Sequence, residues 1–203
     1  MGRPARFKKA IYDSALKLFG QRGLGGTGIR EIAKAAGVSE AALYRHWKGK
    51  KELARDIFVQ GLAELCQKLQ AEIPPETPAD QAVLRTVRIF YEAYDAHSDI
   101  VLYLLLSEHE LWRTLQPEDP NPVSFWFDVL RTRAPEFRLP AELSGEILGP
   151  ITLGMILRPG IATAYGSVEP PLAQYAVPVA VAICRLLGLT PTDATSAPPT
   201  AGG

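Results

Sequence analysis

Residues 27–50 read TGIREIAKAAGVSEAALYRHWKGK and predict two short helices joined by a tight turn. The first helix is indicated by apolar residues that recur at helical spacing, namely Ile29, Ile32, Ala33 and Ala36. Thr27 is expected to cap its N-terminus, Gly37 to take the left-handed conformation after it, and Ser39 to cap a second helix over residues 40–47. This order indicates a helix-turn-helix, which presents its second helix to the major groove of DNA.

The second predicted helix has an inward and an outward side. Leu43 and Trp47 are four residues apart and are expected to pack against the first helix. The residues expected to face outward or sideways are Glu40, Ala41, Ala42, Tyr44, Arg45 and His46. Small side chains at two of these positions would let the backbone approach the base edges, and alanine methyls can contact thymine methyls. The carboxylate of Glu40 either accepts from cytosine or neutralises the helix dipole, and we favour the dipole.

The charge of the chain is strongly polarised. Residues 1–50 contain 11 Lys and Arg against 3 Asp and Glu, a formal charge of +8, whereas the other 153 residues carry 11 against 19, a charge of −8. A basic end next to a helix-turn-helix pattern favours binding to phosphates over a solvated face without a partner. Arg30 and Lys48 belong to the predicted DNA surface. Arg3 and Arg6 either reach a neighbouring minor groove or lie in a frayed, solvated end.

The pattern T-x-x-x-I-A-x-x-A-G-V-S-x-x-x-L-Y-x-H-W-x-x-K-x-x-L runs from Thr27 to Leu53 and resembles the DNA-binding domain of the TetR/AcrR family of bacterial regulators. Upstream, AIYDSALKLFGQRG at residues 10–23 resembles the first helix of that family. The close match covers about 55 residues. Three positions depart from the family pattern: Gly28 stands where a hydroxyl residue is usual, Ala41 where glycine is frequent, and Trp47 where phenylalanine is commoner.

The resemblance implies a role for each residue of the DNA surface. Thr27 and Gly28 would contact phosphates at the start of the first helix, with residues 39–42 near the bases. Tyr44 and His46 would contact phosphates, and Lys50 would reach one from the next helix. Two of these have plainer alternatives, since Tyr44 could be a core aromatic residue and His46 an ordinary surface histidine.

The whole chain is predicted to be all-α, with about nine helices. We expect a helix-turn-helix domain at residues 1–50, with its motif at about 28–47, a helical effector-binding and dimerisation domain at 51–189, and a disordered tail at 190–203. The last two predicted helices, about 141–165 and 172–188, are apolar nearly all round. Prolines at 150, 159 and 178 leave their boundaries open. The resemblance implies that these helices pair with their twins in a homodimer, which also suits a palindromic operator.

Aromatic and histidine side chains in the middle of the chain could line a cavity for a small apolar or aromatic effector. These candidates are Tyr91, Tyr94, His97, Tyr103, His109, Trp112, Trp126, Phe127 and Tyr165. Aromatic residues at helical spacing are more often ordinary core. An adaptor whose larger domain binds a protein partner is the alternative to a ligand sensor.

The sequence carries no motif of a nucleotide-binding or catalytic site, so we expect no enzyme activity and no cofactor. Cys66 and Cys184 lie in apolar patterns without metal-ligand spacing and are expected to be buried, reduced thiols. Arg158 and Arg185 interrupt the two most hydrophobic stretches of the chain, which argues against a membrane span. We therefore expect a cytoplasmic regulator, most simply a repressor that its effector releases from DNA.

Overall fold

The structure is a computed structural model that describes residues 3–98, 101–102, 111–139 and 145–191. Regular structure in these ranges is entirely helical, which confirms the all-α prediction. The α-helices are α1 (Arg3–Arg22), α2 (Ile29–Ala35), α3 (Glu40–Tyr44), α4 (Lys50–Glu72), α5 (Ala79–Ala96), α6 (Pro122–Arg133), α7 (Gly145–Ala164) and α8 (Ala176–Leu186). Two short 3-10 helices span Ala134–Glu136 and Leu172–Tyr175.

The chain divides into two compact units. The first comprises Met1–Cys66 and Ala96–Asn121, and the second comprises Gln67–Asp95 and Pro122–Gly203. The first unit therefore contains the helix-turn-helix and a later segment that the sequence pattern did not associate with it. The functional domain boundaries at residues 50 and 189 stay a prediction.

The first unit is built around one apolar core. Ile11, Ala15 and Phe19 recur every four residues along α1, so they share one face of that helix, and each is at most 1% exposed. They pack with buried residues of α2, α3 and α4, among them Ile32, Leu43 and Phe58. The later segment joins this core through residues 111–115, where the Trp112 ring meets the Phe58 ring edge-on at 5.7 Å. Packing on these helices thus fixes the position of the helix-turn-helix.

The second unit has its own buried layer. Helix α5 is strongly amphipathic and buries ten of its side chains, including Tyr91 and Tyr94. Between α6 and α7, the buried Trp126 donates its indole N–H to Thr152 Oγ1 at 2.9 Å. Of the predicted disordered tail at residues 190–203, the part from residue 192 onward lies outside the described residues.

Helix α7 is apolar but not fully buried. It accommodates Pro150 and Pro159 inside its span, while Pro178 falls in the first turn of α8. Within the described ranges, Glu146–Ala164 is 19 residues long with a mean hydropathy of 1.4, which by length and composition is enough to cross a membrane. Contrary to the expectation from the sequence, Arg158 does not make this segment too polar to qualify as a candidate membrane span. Such a segment is weak evidence for a membrane span, because core helices of water-soluble proteins have the same character.

Candidate nucleic-acid interface

The turn between α2 and α3 has the predicted geometry. Gly37 takes φ +67°, the left-handed region that glycine adopts without a steric penalty. Ser39 caps α3, because its Oγ accepts from the N–H of Ala42 at 3.2 Å. Regular α-helix ends at Tyr44, earlier than the predicted residue 47, and the N–H groups of the next turn still bond to the Leu43 carbonyl.

On the inward side of α3, the prediction is confirmed for two residues and wrong for a third. Leu43 is fully buried and Trp47 is 3% exposed. Ala42, which was expected to face outward, is only 7% exposed. Ala42 precedes Leu43 in the sequence. The side of a helix that packs against a core is wide enough to bury both residues. Its methyl is therefore not offered to base edges.

The outward side of α3 and the turn after it present polar and cationic groups. Tyr44 is 51% exposed, which contradicts the alternative of a core aromatic residue. Ala41, Arg45, His46 and Lys48 are exposed as well. The His46 ring lies 5.7 Å from Phe7 and 5.4 Å from Trp47, so aromatic neighbours hold it in place.

The start of α2 differs from the prediction. Gly28, not Thr27, is the N-cap residue. Thr27 is 1% exposed, and its hydroxyl donates to the carbonyls of Leu18 and Gly23 at 3.2 and 2.9 Å. The cap predicted for Thr27 is therefore wrong, because its side chain points into the first unit and satisfies carbonyls at the end of α1.

The backbone N–H of Gly28 is already hydrogen-bonded within the protein. It donates to Glu31 Oε2 at 2.8 Å, and Glu31 Oε1 pairs with Arg22 at 2.9 Å. The hydrogen bond from Gly28, together with the charge of Arg22, lowers the pKa of the Glu31 carboxyl below its usual value. A carboxylate of the protein thus occupies the position where a helix N-terminus would otherwise attract a phosphate.

Lys50 is also bonded within the first unit. Its ammonium donates to the carbonyls of Leu24 and Thr27 at 2.8 Å each and to that of Gly25 at 3.2 Å. The resemblance implied that Lys50 contacts a phosphate. In the structure its side chain instead packs against the loop between α1 and α2.

Glu40, the first residue of α3, forms an ion pair at the predicted base-contacting surface. Arg30 Nε lies 3.3 Å from a carboxylate oxygen of Glu40, and the Arg30 side chain is 84% exposed. Arg3 and Arg6 begin α1, and their side chains lie outside what the structure describes. The Glu40 carboxylate stands in the first turn of α3, where it complements the helix dipole.

Sequence reasoning missed an important polar centre, the carboxylate of Asp56 on α4. It accepts from Tyr12 Oη at 2.5 Å and from the indole N–H of Trp47 at 2.9 Å, and Lys8 lies 3.5 Å away. Burial raises the pKa of Asp56, but these hydrogen bonds and the charge of Lys8 outweigh it, so the net pKa is lowered. Burial and the neighbouring carboxylate raise the pKa of Tyr12. Asp56 thereby connects α4 to α1, through Tyr12, and to the turn after α3, through Trp47.

The signal for this centre was present at residue 47. Tryptophan at this position brings an indole N–H, which needs a partner when it is buried. The sequence-based prediction for Trp47 concerned its packing alone and named no acceptor for this N–H group.

The candidate ligand-lining residues are distributed over both units. Tyr91, Tyr94 and Trp126 are buried in the second unit, at most 4% exposed. Trp112 belongs to the core of the first unit instead. The remaining described candidates are exposed: Phe127 at 41%, Tyr165 at 75% and His97. Tyr103 and His109 lie outside the described residues.

Two of the buried phenols differ in their hydrogen bonds. The hydroxyl of Tyr94 bonds to Thr163 Oγ1. The hydroxyl of Tyr91 has no hydrogen-bond partner among the described residues, and burial raises its pKa to about 12. An unsatisfied buried hydroxyl is unusual, so Tyr91 is the strongest polar candidate within the predicted ligand set.

Comparison with known proteins agrees with this geometry. Residues 11–57, which run from the middle of α1 to the first turns of α4, match the sequence model of the bacterial regulatory proteins, tetR family. Residues 11–57 are thus similar to the N-terminal domain of the TetR/AcrR family.

Curated relatives are similar to part of this chain. The transcriptional regulator AcrR of Shigella flexneri is 39% identical over 83 residues, 40% of this chain and 38% of AcrR. The transcriptional repressor KstR2 of Rhodococcus jostii is 33% identical over 94 residues, 46% of each chain. The chain thus spans less than half the length of these curated relatives.

The fold agrees over a longer range. The crystal structure of FadR from Bacillus subtilis in complex with stearoyl-CoA superposes with a TM-score of 0.72, covering 88% of this chain and 98% of FadR at 13% identity. At that identity the likeness shows a shared fold.

Proposed function

We propose that this chain is a sequence-specific DNA-binding transcriptional regulator of the TetR/AcrR family. In the proposed cycle it is a homodimeric repressor that a small, largely apolar ligand releases from a palindromic operator. The observation that carries the proposal is the surface at the end of α3, where Tyr44, Arg45, His46 and Lys48 are exposed. Leu43 and Trp47 fix the position of this surface, because both are buried in the core of the first unit.

The contacts divide into three kinds. Ser39, Glu40 and Ala41 at the start of α3 are proposed to lie near the base edges. Phosphate contacts are assigned to exposed donors and cations: Arg30, Tyr44, Arg45, His46 and Lys48. Arg3 and Arg6, whose side chains lie outside what the structure describes, are proposed to reach the neighbouring minor groove. We assign no phosphate contact to the Thr27 hydroxyl or the Gly28 N–H, because both are hydrogen-bonded within the protein.

A second copy of the chain is proposed to cover the apolar surface of α7. Ile147 and Ile151 are 46% and 37% exposed, and Gly154 has open space above it, so these three residues form an uncovered stripe at helical spacing. Val177 at the start of α8 adds a side chain that is 37% exposed. A two-fold interface also suits DNA, because two recognition helices reading successive major grooves must lie about 34–36 Å apart. This interface would explain an apolar helix in a regulator that we propose to be cytoplasmic.

The effector is proposed to bind in the second unit. FadR of Bacillus subtilis, which shares the fold, was solved with stearoyl-CoA, a molecule with a long apolar chain. Here Tyr91, Tyr94 and Trp126 supply buried aromatic surface of the kind that binds apolar ligands. Such a ligand weakens DNA affinity only if it binds more tightly to a conformation that does not fit the operator. The alternative is an adaptor whose second unit binds a protein partner.

The DNA proposal is tested by selecting binding sites from random duplexes and measuring affinity for the winners by fluorescence anisotropy. We expect a palindromic sequence to emerge. Neutralisation of about six phosphates per dimer would give a slope near −5 in log affinity against log salt. Recovery of random sequence after repeated rounds at low salt would overturn the proposal.

For the effector, a thermal-shift screen of hydrophobic compounds should give specific stabilisation, whereas a screen in which no compound stabilises the chain favours the adaptor.

A further inference from the structure

The loop between α1 and α2 is unusually rich in glycine. Residues 22–28 read RGLGGTG, and Gly23 takes φ +68°. Glycine has more backbone freedom to lose on folding than any other residue, so such a loop needs an external constraint to hold one conformation. The loop also sets where α2 begins, because Gly28 is the N-cap of that helix.

Lys50 supplies a constraint of this kind. An ammonium has three N–H donors, and here they have three acceptors, the carbonyls of Leu24, Gly25 and Thr27 at 2.8, 3.2 and 2.8 Å. The Thr27 hydroxyl adds one bifurcated donation, which the Leu18 and Gly23 carbonyls share. To reach a phosphate, the Lys50 ammonium would have to give up its bonds to the loop.

We propose that Lys50 is a positioning residue, which holds the loop and thereby the start of α2 instead of neutralising a DNA phosphate. The inference rests on the proposed DNA-binding function for its consequence, and on hydrogen bonds within the first unit for its geometry. Helix α2 carries Arg30, which pairs with Glu40 at the start of α3. A displaced loop therefore moves the helix that supports the base-contacting residues.

Lys48 is a matched control. It lies two residues upstream and has the same charge, and its side chain is exposed. Its backbone N–H, not its ammonium, makes the hydrogen bond to Glu52 at 2.6 Å. The loop should thus depend on Lys50 and not on Lys48, whereas a phosphate contact is expected from Lys48.

A charge-conserving variant separates the two roles of Lys50. Arginine keeps the positive charge and binds phosphates well, but its donors lie in a planar fork. Three carbonyls that converge on one nitrogen do not fit that fork. Lys50→Arg should therefore preserve a phosphate contact and lose the hold on the loop.

The experiment compares the full chain with Lys50→Met, Lys50→Arg and Lys48→Met. Amide hydrogen exchange over residues 24–29 is measured without DNA, and affinity for the selected duplex is measured across salt concentrations. Both Lys50 variants should exchange about tenfold faster in this segment, while Lys48→Met matches the unsubstituted chain. Both should also bind the duplex about tenfold more weakly at an unchanged salt slope, whereas Lys48→Met should make the slope shallower by about 2 per dimer.

Any of these results would overturn the proposal: a shallower slope for Lys50→Met, unsubstituted behaviour of Lys50→Arg, or unchanged exchange in both Lys50 variants. A general loss of stability without positioning would leave the affinity of the folded fraction unchanged, which also contradicts it. If Lys50→Met does not fold, Lys50→Arg decides the matter by the same two measurements. If the unsubstituted chain binds no duplex, the proposed function fails, while the exchange measurement still decides whether Lys50 holds the loop.

Discussion

Replacing Asp56 with alanine should destabilise the first unit more than an ordinary surface substitution. The change leaves the Tyr12 hydroxyl and the Trp47 indole N–H without their acceptor, and these two residues are 7% and 3% exposed. Hydrogen bonds to a charged group contribute about 1.5–3 kcal/mol each. The Lys8 pair adds at most about 0.5 kcal/mol, because both side chains are roughly half exposed and screened by solvent.

Taking the lower end for two partly buried bonds, the expected loss is about 3 kcal/mol in the free energy of unfolding. With a urea m-value of about 2–3 kcal/mol per molar, the midpoint should fall by about 1 M. Urea unfolding followed by tryptophan fluorescence measures the change. The matched control is Asp13→Ala, since Asp13 pairs with Lys9 at 3.0 Å on the exposed side of α1. It should cost only about 0.3–0.5 kcal/mol.

The effect of Asp56 should also depend on pH. Its pKa is lowered from the ordinary value of 3.8 in the folded chain. Its stabilisation is therefore complete above that value and is lost as the pH falls through the lower, folded-state pKa. The difference between the unsubstituted chain and Asp56→Asn should shrink in strong acid. Equal losses for Asp56→Ala and Asp13→Ala at neutral pH would refute the reasoning.

Three further predictions concern the interface, the recognition surface and the buried phenols. Ile151→Asp should convert the proposed dimer to a monomer by light scattering, because it places a charge in the apolar stripe of α7. Ala41→Gly should change which sequence is selected from random duplexes, whereas Lys48→Met should weaken binding to all duplexes alike. Tyr91→Phe should raise the free energy of unfolding by about 1 kcal/mol, since it removes an unsatisfied buried hydroxyl, while Tyr94→Phe should lower it by about 1 kcal/mol.

Each of these predictions has a result that contradicts it. A dimer that survives Ile151→Asp would place the interface elsewhere. Identical selected sequences for Ala41→Gly and the unsubstituted chain would remove residue 41 from the base-contacting set. Equal destabilisation by the two tyrosine variants would mean that the Tyr91 hydroxyl has an acceptor.

The sequence predicted those features that local geometry controls. Gly37 and Ser39 could be assigned because a left-handed turn and an N-cap each need particular residue types within a few positions. Leu43 and Trp47 could be assigned because helical spacing alone puts them on the packed side. The all-α fold followed from the same spacing repeated along the chain.

Long polar side chains were harder to assign, because several partners lie within their reach. Lys50 has four methylene groups, and only the fold reveals that three carbonyls of a loop some 25 residues earlier meet its ammonium. The acceptor of the Trp47 indole lies on α4, and Trp112 packs in the first unit although its sequence position suggested the second. These are contacts between distant parts of the chain, and no local pattern encodes them.

The central claim is that two copies of this chain bind one palindromic duplex through the cationic surface at the end of α3. Native mass spectrometry of the chain with the selected duplex measures it most directly, with Arg45→Ala and Lys48→Ala combined as the comparison. We predict a complex of two chains per duplex for the unsubstituted protein and loss of that complex in the double variant. A single chain per duplex, or an equally stable complex with both cations removed, would contradict the account.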